Sequence, residues 1–391
     1  MNFVIIGGGI SGTTAAQELR KLNPDAEITI IEQEPHRLYS KVLLSRYIIG
    51  ELERERLFLK TESWYTENHI ELMSGVRVLG IDSVNKHIKT SDGRELPYDK
   101  LLIASGQEPK LIDSNCEGVA YLRTLDDAEC FKQLIAKLKV RPVEEQRVIV
   151  VGGSFVSCEL LHICQKLGIK VSVVLRSSGF WSKSLSKESQ DIITKKASEL
   201  GIDIYTKTGF EIIGSDELLG IKLDNGTQIN AGILALGIGL EADLSWLEES
   251  GVKTDIGVLC DDHLQTSIKD IYASGDIAQF NDCVLDRNHL VANWTNAIEQ
   301  AMTVSKNMSH QDSQYRFVSS YATRLGDLEI TFIGDTQRSE ADIVSFEQKD
   351  NTTYEFFVRK DCTVGAVILG SAKNRKEITK AIFDKILYTL K

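Results

Sequence analysis

The sequence predicts an α/β chain made of two parallel-sheet domains and a smaller α+β domain at its C-terminal end, and three observations carry that prediction. A β-branched apolar run, Phe3-Val4-Ile5-Ile6, stops at Gly7, Gly9 and Gly12 and gives way to a helical pattern over 13–22. A second run of the same kind, Val148-Ile149-Val150-Val151, stops at Gly152 and gives way to a helical pattern over 158–167. From about Tyr315 the pattern changes to three or four short strands and one amphipathic stretch over 373–390. Continuous apolar runs suit strands buried on both faces, as in parallel sheets covered by helices. Each helical pattern is followed by a further strand, over 27–31 and 170–175, so a βαβ unit occurs twice, 145 residues apart.

The rest of the chain fits around these units. Residues 84–90 and the turn Ser91-Asp92-Gly93 suggest short antiparallel strands, 98–105 reads as a buried strand, 201–236 is strand-rich, and 291–308 is helical. At 391 residues the chain is long enough for two or three domains. Its formal net charge of −11 sets it against phosphate backbones and anionic membranes, so neither nucleic acid nor a membrane is an expected partner. No run approaches the roughly 18 apolar residues of a membrane helix, and no signal peptide is visible ahead of the glycines, which points to a cytoplasmic protein. The seven cysteines are odd in number and none has C-x-x-C spacing, so neither a disulfide framework nor a metal site is expected.

Gly7, Gly9 and Gly12 directly after a strand form G-x-G-x-x-G. In that pattern the first glycine permits a tight turn, the second lets a pyrophosphate approach the backbone, and the third lets the helix pack on the strand, while the helix N-terminus meets the anion. Glu32 closes the next strand, 20 residues after Gly12, where a carboxylate accepts from a ribose. The second unit keeps Gly152 but has Ser154 and Ser157 at the other glycine positions. Ser157 is expected to push helix from strand. The strand-end acid is replaced by Leu175, with Arg176 following. Arginine cannot accept from a 2′-hydroxyl but can pair with a 2′-phosphate. NADPH binding, NADH binding through other contacts, and a degraded site all remain open for this turn.

Three further segments give the chain a resemblance to the FAD-dependent pyridine-nucleotide oxidoreductases, with their glutathione-reductase-like fold of two Rossmann-like domains. These are Ala104-Ser105-Gly106-Gln107-Glu108-Pro109, Tyr121-Leu122-Arg123-Thr124-Leu125-Asp126-Asp127, and Thr266 to Asp276 ending in Ile271-Tyr272-Ala273-Ser274-Gly275-Asp276. Within that family the chain is most similar to rubredoxin reductases and to the flavin part of NAD(P)H nitrite reductases. The resemblance implies an FAD domain in two parts, 1–112 and 239–312, an NAD(P) domain over 113–238, and a small α+β domain over 313–391. It implies that FAD is held by Gly7, Gly9, Ile10, Ser11, Gly12, Glu32, Gln33, Lys41, Val78, Ala104, Ser105, Gly106, Arg123, Gly275, Asp276, Asn293 and Trp294. The nicotinamide coenzyme falls to Gly152, Ser154, Phe155, Val156, Arg176 and Gly237. Tyr39 to Arg46 resembles the family stretch beside the flavin, which would put Lys41 near FAD and pair Arg46 with Glu159. Both basic positions depart from the family pattern, and arginine and lysine are not interchangeable at such sites.

What is missing narrows the reaction. The family's disulfide reductases need cysteines just after the first βαβ unit; here Ser40 and Ser45 stand there and the first cysteine is Cys116. Cys158 and Cys164, six apart on a helix, are expected on different sides of it. The resemblance therefore implies an enzyme that passes hydride from NAD(P)H to FAD N5 and then electrons to a small redox protein such as rubredoxin or a ferredoxin-like carrier, without a redox-active disulfide. Dioxygen as acceptor, and a non-enzymatic sensor or partner subunit with a decayed nicotinamide site, are the alternatives. Lys373, Arg375 and Lys376 are a candidate basic patch for the carrier, and either a monomer or a homodimer is expected.

Overall fold

The computed structural model describes residues 1–390, and the chain falls into two compact units. The first consists of 1–40, 54–108 and 241–319; the second of 41–53, 109–240 and everything from Ser320 on.

At the centre of the first unit is a parallel five-stranded sheet ordered Ile271–Ala273, Lys100–Ile103, Asn2–Ile6, Glu27–Glu32, Glu71–Ser74. Phe3, Ile5, Ile30, Leu101, Leu102 and Ile103 are fully buried, as strands covered on both faces require. The helix Ile10–Leu22 starts directly after the glycine turn and packs against the helix Trp294–Met308. It begins three residues earlier than the sequence pattern suggests, because Gly12 lies inside its first turn. The helix Trp294–Met308 begins three residues later than expected, where the Asn293 side chain caps it by accepting from Asn296 N at 2.9 Å. Strands Val78–Asp82 and His87–Thr90 form the antiparallel pair expected near residues 84–90, but Val84 itself lies in their turn and is exposed.

The second unit repeats the plan with a parallel sheet ordered Asp203–Thr206, Lys170–Leu175, Arg147–Val151, Ile233–Leu236, Val119–Ala120. Its glycine turn leads into the helix Phe155–Lys166. The same unit holds a C-terminal antiparallel sheet of five strands ordered Ser320–Leu325, Leu328–Gly334, Cys362–Leu369, Thr352–Arg359, Ile343–Lys349. The amphipathic stretch expected over 373–390 is helical only over Arg375–Phe383. Lys385 takes a left-handed φ of +54° and ends the helix. The chain then runs back along the sheet, where Tyr388 N donates to Thr363 Oγ1 at 2.9 Å. No helix among the described residues is long and apolar enough to cross a membrane.

Candidate dinucleotide sites

The first glycine turn is closed by backbone alone. Gly7 has φ +105°, and its N–H donates to Ile31 O at 2.8 Å. A Cβ on Gly7 would run into the Ala104 carbonyl oxygen, and one on Gly12 into the Gly7 carbonyl oxygen, so both positions need glycine for protein packing. Gly9 differs: a Cβ there would meet no protein atom within 4 Å. The open face over Gly9, at the mouth of a 13-residue helix, is where an anion can come against the backbone.

Glu32 stands at the strand end beside this turn. Its Oε2 accepts from Gly8 N at 2.6 Å and its Oε1 from Glu34 N at 2.8 Å, which fixes the carboxylate beside the turn. Gly7, Glu32, Gln33, Val78, Ser105 and Gly106 line one cleft of the unit together. From the other side of the sheet the segment Ser274-Gly275-Asp276 reaches the same helix. Ser274 Oγ and Ser11 Oγ share a hydrogen bond at 2.7 Å, and Gly275, with φ +80°, has its N–H held by Gln300 Oε1 at 2.7 Å. Gln300 is fully buried and its Nε2 has no partner, a donor that a bound polar group or water would satisfy. A cradle open at Gly9, a fixed acceptor at Glu32 and the glycine-turned Asp276 fit a dinucleotide whose pyrophosphate sits on the helix N-terminus. Asn293 and Trp294 lie at the start of the helix Trp294–Met308, but the Asn293 amide is taken up at both ends, by the helix cap and by Ser319 Oγ.

The second turn has the same backbone and different chemistry. Gly152, with φ +109°, donates to Val174 O at 3.0 Å, and a Cβ on it would run into the Gly237 carbonyl oxygen. Ser157 carries a side chain, fully buried, at the position matching Gly12. Room for the side chain comes from Gly237, whose own Cβ would lie 2.7 Å from Ser157 Oγ. That hydroxyl is buried with no hydrogen-bond partner. At Gly153, the counterpart of Gly8, a Cβ would meet Leu175 Cδ2 at 2.8 Å; an apolar side chain occupies the place of the acid. Gly153 O instead accepts from Trp181 N at 2.9 Å. Phe155, the first residue of the helix, packs edge-on against Trp181, Tyr321 and Phe332 with ring centroids 5.2, 4.8 and 5.1 Å away. Arg176 is exposed and forms no ion pair or hydrogen bond among the described residues. Ser154 starts the helix without capping it through its side chain.

The pair expected between Arg46 and Glu159 is not formed. Both residues belong to the second unit, and their helices pack together, yet Arg46 Nε donates to Glu51 Oε2 at 3.1 Å. The chain turns back just after the helix Leu44–Ile48, with Glu51 N donating to Arg46 O at 2.9 Å, so the nearer carboxylate takes the guanidinium. Glu159 is half-buried with no partner among the described residues. Lys41 and Arg123 also fall in the second unit, with Gly152, Ser154, Phe155, Val156, Arg176 and Gly237; the other expected FAD residues fall in the first. All seven cysteines are unpaired. Cys158 and Cys164 are both fully buried, and burial pushes the Cys164 thiol up to about 12 and the Cys158 thiol higher still. Sequence reasoning missed Arg77, Asp243 and Trp246, which line the Glu32 cleft.

The sequence profile of the pyridine nucleotide-disulphide oxidoreductases matches residues 1–301. The chain belongs to that family. Members of the family use FAD and NAD(P)H, and these are its cofactors. It is 27% identical over 388 residues to the NAD(P)H nitrite reductase of Bacillus subtilis (strain 168), covering 97% of this chain and 47% of that protein, so it spans about half the relative's length. It is 30% identical over 318 residues to a putidaredoxin reductase of Pseudomonas putida, covering 78% of this chain and 73% of that one. The covalent putidaredoxin reductase–putidaredoxin complex superposes with a TM-score of 0.90 over 98% of this chain and 93% of that chain, at 23% identity, a likeness of fold.

Proposed function

We propose that this chain is an FAD-dependent NAD(P)H oxidoreductase that hands electrons to a small carrier protein of the rubredoxin or ferredoxin type. The observation that carries the reading is the first glycine turn, packed shut at Gly7 and Gly12 and open at Gly9, with Glu32 fixed beside it. We assign the unit of 1–40, 54–108 and 241–319 to FAD and the sheet around Gly152 to the coenzyme. Bound FAD supplies acceptance of an electron pair as hydride and release of electrons singly. The first amides of the helix Ile10–Leu22 hold the pyrophosphate, Glu32 receives a ribose hydroxyl, and Asp276 offers its carboxylate to the ribityl chain.

Thiol chemistry has no support, since no cysteine precedes Cys116 and the two on the helix Phe155–Lys166 are sealed in the core. At the second turn, Leu175 offers no acceptor to a 2′-hydroxyl while the unpaired Arg176 suits a 2′-phosphate, so NADPH is taken at least as readily as NADH. The unpaired thiols favour a reducing, cytosolic setting.

Anaerobic titration of the purified protein with NADPH and with NADH tests the reading, followed by reoxidation with rubredoxin, a ferredoxin and dioxygen. Flavin bleaching within seconds and rapid reoxidation by a carrier protein support it. Absence of bleaching with either coenzyme would mean a decayed coenzyme site, and reoxidation by dioxygen alone would make the protein an oxidase.

A further inference from the structure

The loop beside the second glycine turn is held from outside its own sheet. Residues 176–185 join the strand Lys170–Leu175 to the helix Lys187–Glu199, so the loop begins at Arg176 and ends against the helix cap Ser186. Its middle lies on the turn, where Trp181 N donates to Gly153 O at 2.9 Å. Trp181 takes a left-handed φ of +44°, which a bulky residue keeps only where its surroundings impose it. The C-terminal sheet supplies part of those surroundings, since the buried Phe332 ring lies 5.4 Å from that of Trp181 and 5.1 Å from that of Phe155. The same sheet fixes the end of the loop. Glu355 Oε1 accepts from Ser186 N at 2.9 Å and from Ser186 Oγ at 2.7 Å, while Arg338 Nη1 donates to its Oε2 at 2.9 Å. Tyr321, Phe332, Val367 and Glu355 are register partners across four neighbouring strands, so one row on one face of the sheet carries both the aromatic contact and the carboxylate.

A buried carboxylate is costly unless it is fully paired, and an apolar residue often serves packing as well or better. Glu355 is buried and paired, and the last residue before the helix Lys187–Glu199 supplies two of its donors. What the carboxylate adds over an apolar side chain is a fixed position for Ser186. With the Phe332 contact at Trp181, it sets where the loop lies against Gly153. Arg176, exposed and without an ion pair among the described residues, stands at the loop's other end. A loop already held in its binding position loses little conformational freedom when a ligand arrives, so such an anchor acts on binding rather than on the chemical step. We infer that the C-terminal sheet is a working part of the coenzyme site: Glu355 is a positioning residue that acts through Ser186 to hold the 176–185 loop where Arg176 and the turn together receive the phosphates of NADPH. This rests on the reading of the second turn as the coenzyme site.

The test is steady-state kinetics of the flavin-loaded full chain with NADPH and ferricyanide as electron acceptor, together with the thermal midpoint. The proteins compared are the unaltered chain, Glu355→Gln, Ser186→Ala, Ser186→Thr and Ile368→Val. Glu355→Gln keeps one acceptor oxygen and loses the charge; it should raise the KM for NADPH about fivefold and leave kcat within about twofold. Ser186→Ala should act in the same way, and Ser186→Thr, which keeps the hydroxyl, should restore the KM. Ile368 is the control, fully buried in the strand Cys362–Leu369 and in register with Tyr354, on the opposite face from Glu355. Ile368→Val loosens the same sheet away from the anchor, so it should lower the thermal midpoint and leave the KM unchanged. If Glu355→Gln does not fold, the two Ser186 variants decide. An unchanged KM in the folded Glu355→Gln and Ser186→Ala proteins, a Ser186→Thr as impaired as Ser186→Ala, or an equal rise in Ile368→Val would overturn the inference. Failure of both NADPH and NADH to reduce the flavin of the unaltered protein would instead overturn the coenzyme reading on which it stands.

Discussion

Gly9→Ala separates a glycine kept for a ligand from a glycine kept for the fold. Gly9 sits at φ −66°, ψ −170°, which alanine adopts without strain, and its Cβ would meet no protein atom within 4 Å. The substitution should therefore leave the stability of the flavin-free protein nearly unchanged, because the gain of about 0.4–1 kcal/mol from restricting the unfolded chain is offset by alanine's poorer fit at the helix N-cap that Gly9 occupies. The same methyl group stands on the open face where the pyrophosphate must approach the backbone. Forcing an extra methyl into such a contact costs roughly 1–3 kcal/mol, or about 5- to 150-fold in FAD affinity. Gly12→Ala is the contrast: its Cβ runs into the Gly7 carbonyl oxygen, so it should lower the stability of the flavin-free protein as well as flavin content. The assays are the thermal midpoint of the stripped protein and calorimetric titration with FAD. If Gly9→Ala binds FAD as tightly as the unaltered protein, no phosphate lies over that turn and the argument for the first site fails.

Arg176→Ala should raise the KM for NADPH about tenfold, the worth of one hydrogen bond to a charged group, and leave that for NADH unchanged; an NADPH KM equal to that of the unaltered protein would remove Arg176 from the coenzyme site. Glu355, 1% exposed, accepts from Ser186 N and Oγ at 2.9 and 2.7 Å and from Arg338 Nη1 at 2.9 Å. Glu355→Ala should cost about 2–3 kcal/mol in urea unfolding, because it leaves a helix cap and a guanidinium without their acceptor. In a native thiol assay at mild alkaline pH, the exposed Cys130 should react within minutes while Cys158, Cys164 and Cys260, whose thiols burial raises, react only on unfolding. Rapid modification of Cys158 or Cys164 in the folded protein would reopen thiol chemistry at the second turn.

The parts of the structure that could be read from the sequence are those whose chemistry is local. Gly7 to Gly12 and Glu32 are separated by one helix and one strand, so spacing alone puts the acid at the strand end; that its Oε2 accepts from Gly8 N at 2.6 Å is a finding of the structure. The doubled βαβ plan is equally local, since each apolar run writes its own burial. Pairings chosen by tertiary packing were not legible. Arg46 has carboxylates available at Glu51 and on the neighbouring helix, and only the turn after Ile48 decides for Glu51. Arg77 and Asp243 meet across 166 residues of sequence with no pattern linking them. The helix near the C-terminus was overextended because its apolar spacing continues through Ile386 and Leu387, which the structure leaves exposed beyond a left-handed Lys385.

The two turns show which part of nucleotide recognition is backbone and which is side chain. Gly7 and Gly152 have φ values of +105° and +109°, each bonds to the neighbouring strand, at 2.8 and 3.0 Å, and each closes on a strand-end carbonyl, that of Ala104 or Gly237. Anion binding at a helix mouth depends on this backbone, and both turns retain it. Recognition of a ribose hydroxyl depends on one carboxylate, and here the copies part: Glu32 holds Gly8 N, while Leu175 lies against Gly153. Affinity at the second turn must then come from phosphate contacts to helix amides and to Arg176, which salt screens. At the first turn the fixed Glu32 carboxylate, meeting neutral ribose hydroxyls, shares the task. Coenzyme affinity should accordingly fall more steeply with ionic strength than FAD affinity does. Parallel salt dependences for the two ligands would show that the second turn has found an acceptor for the ribose in place of the missing acid.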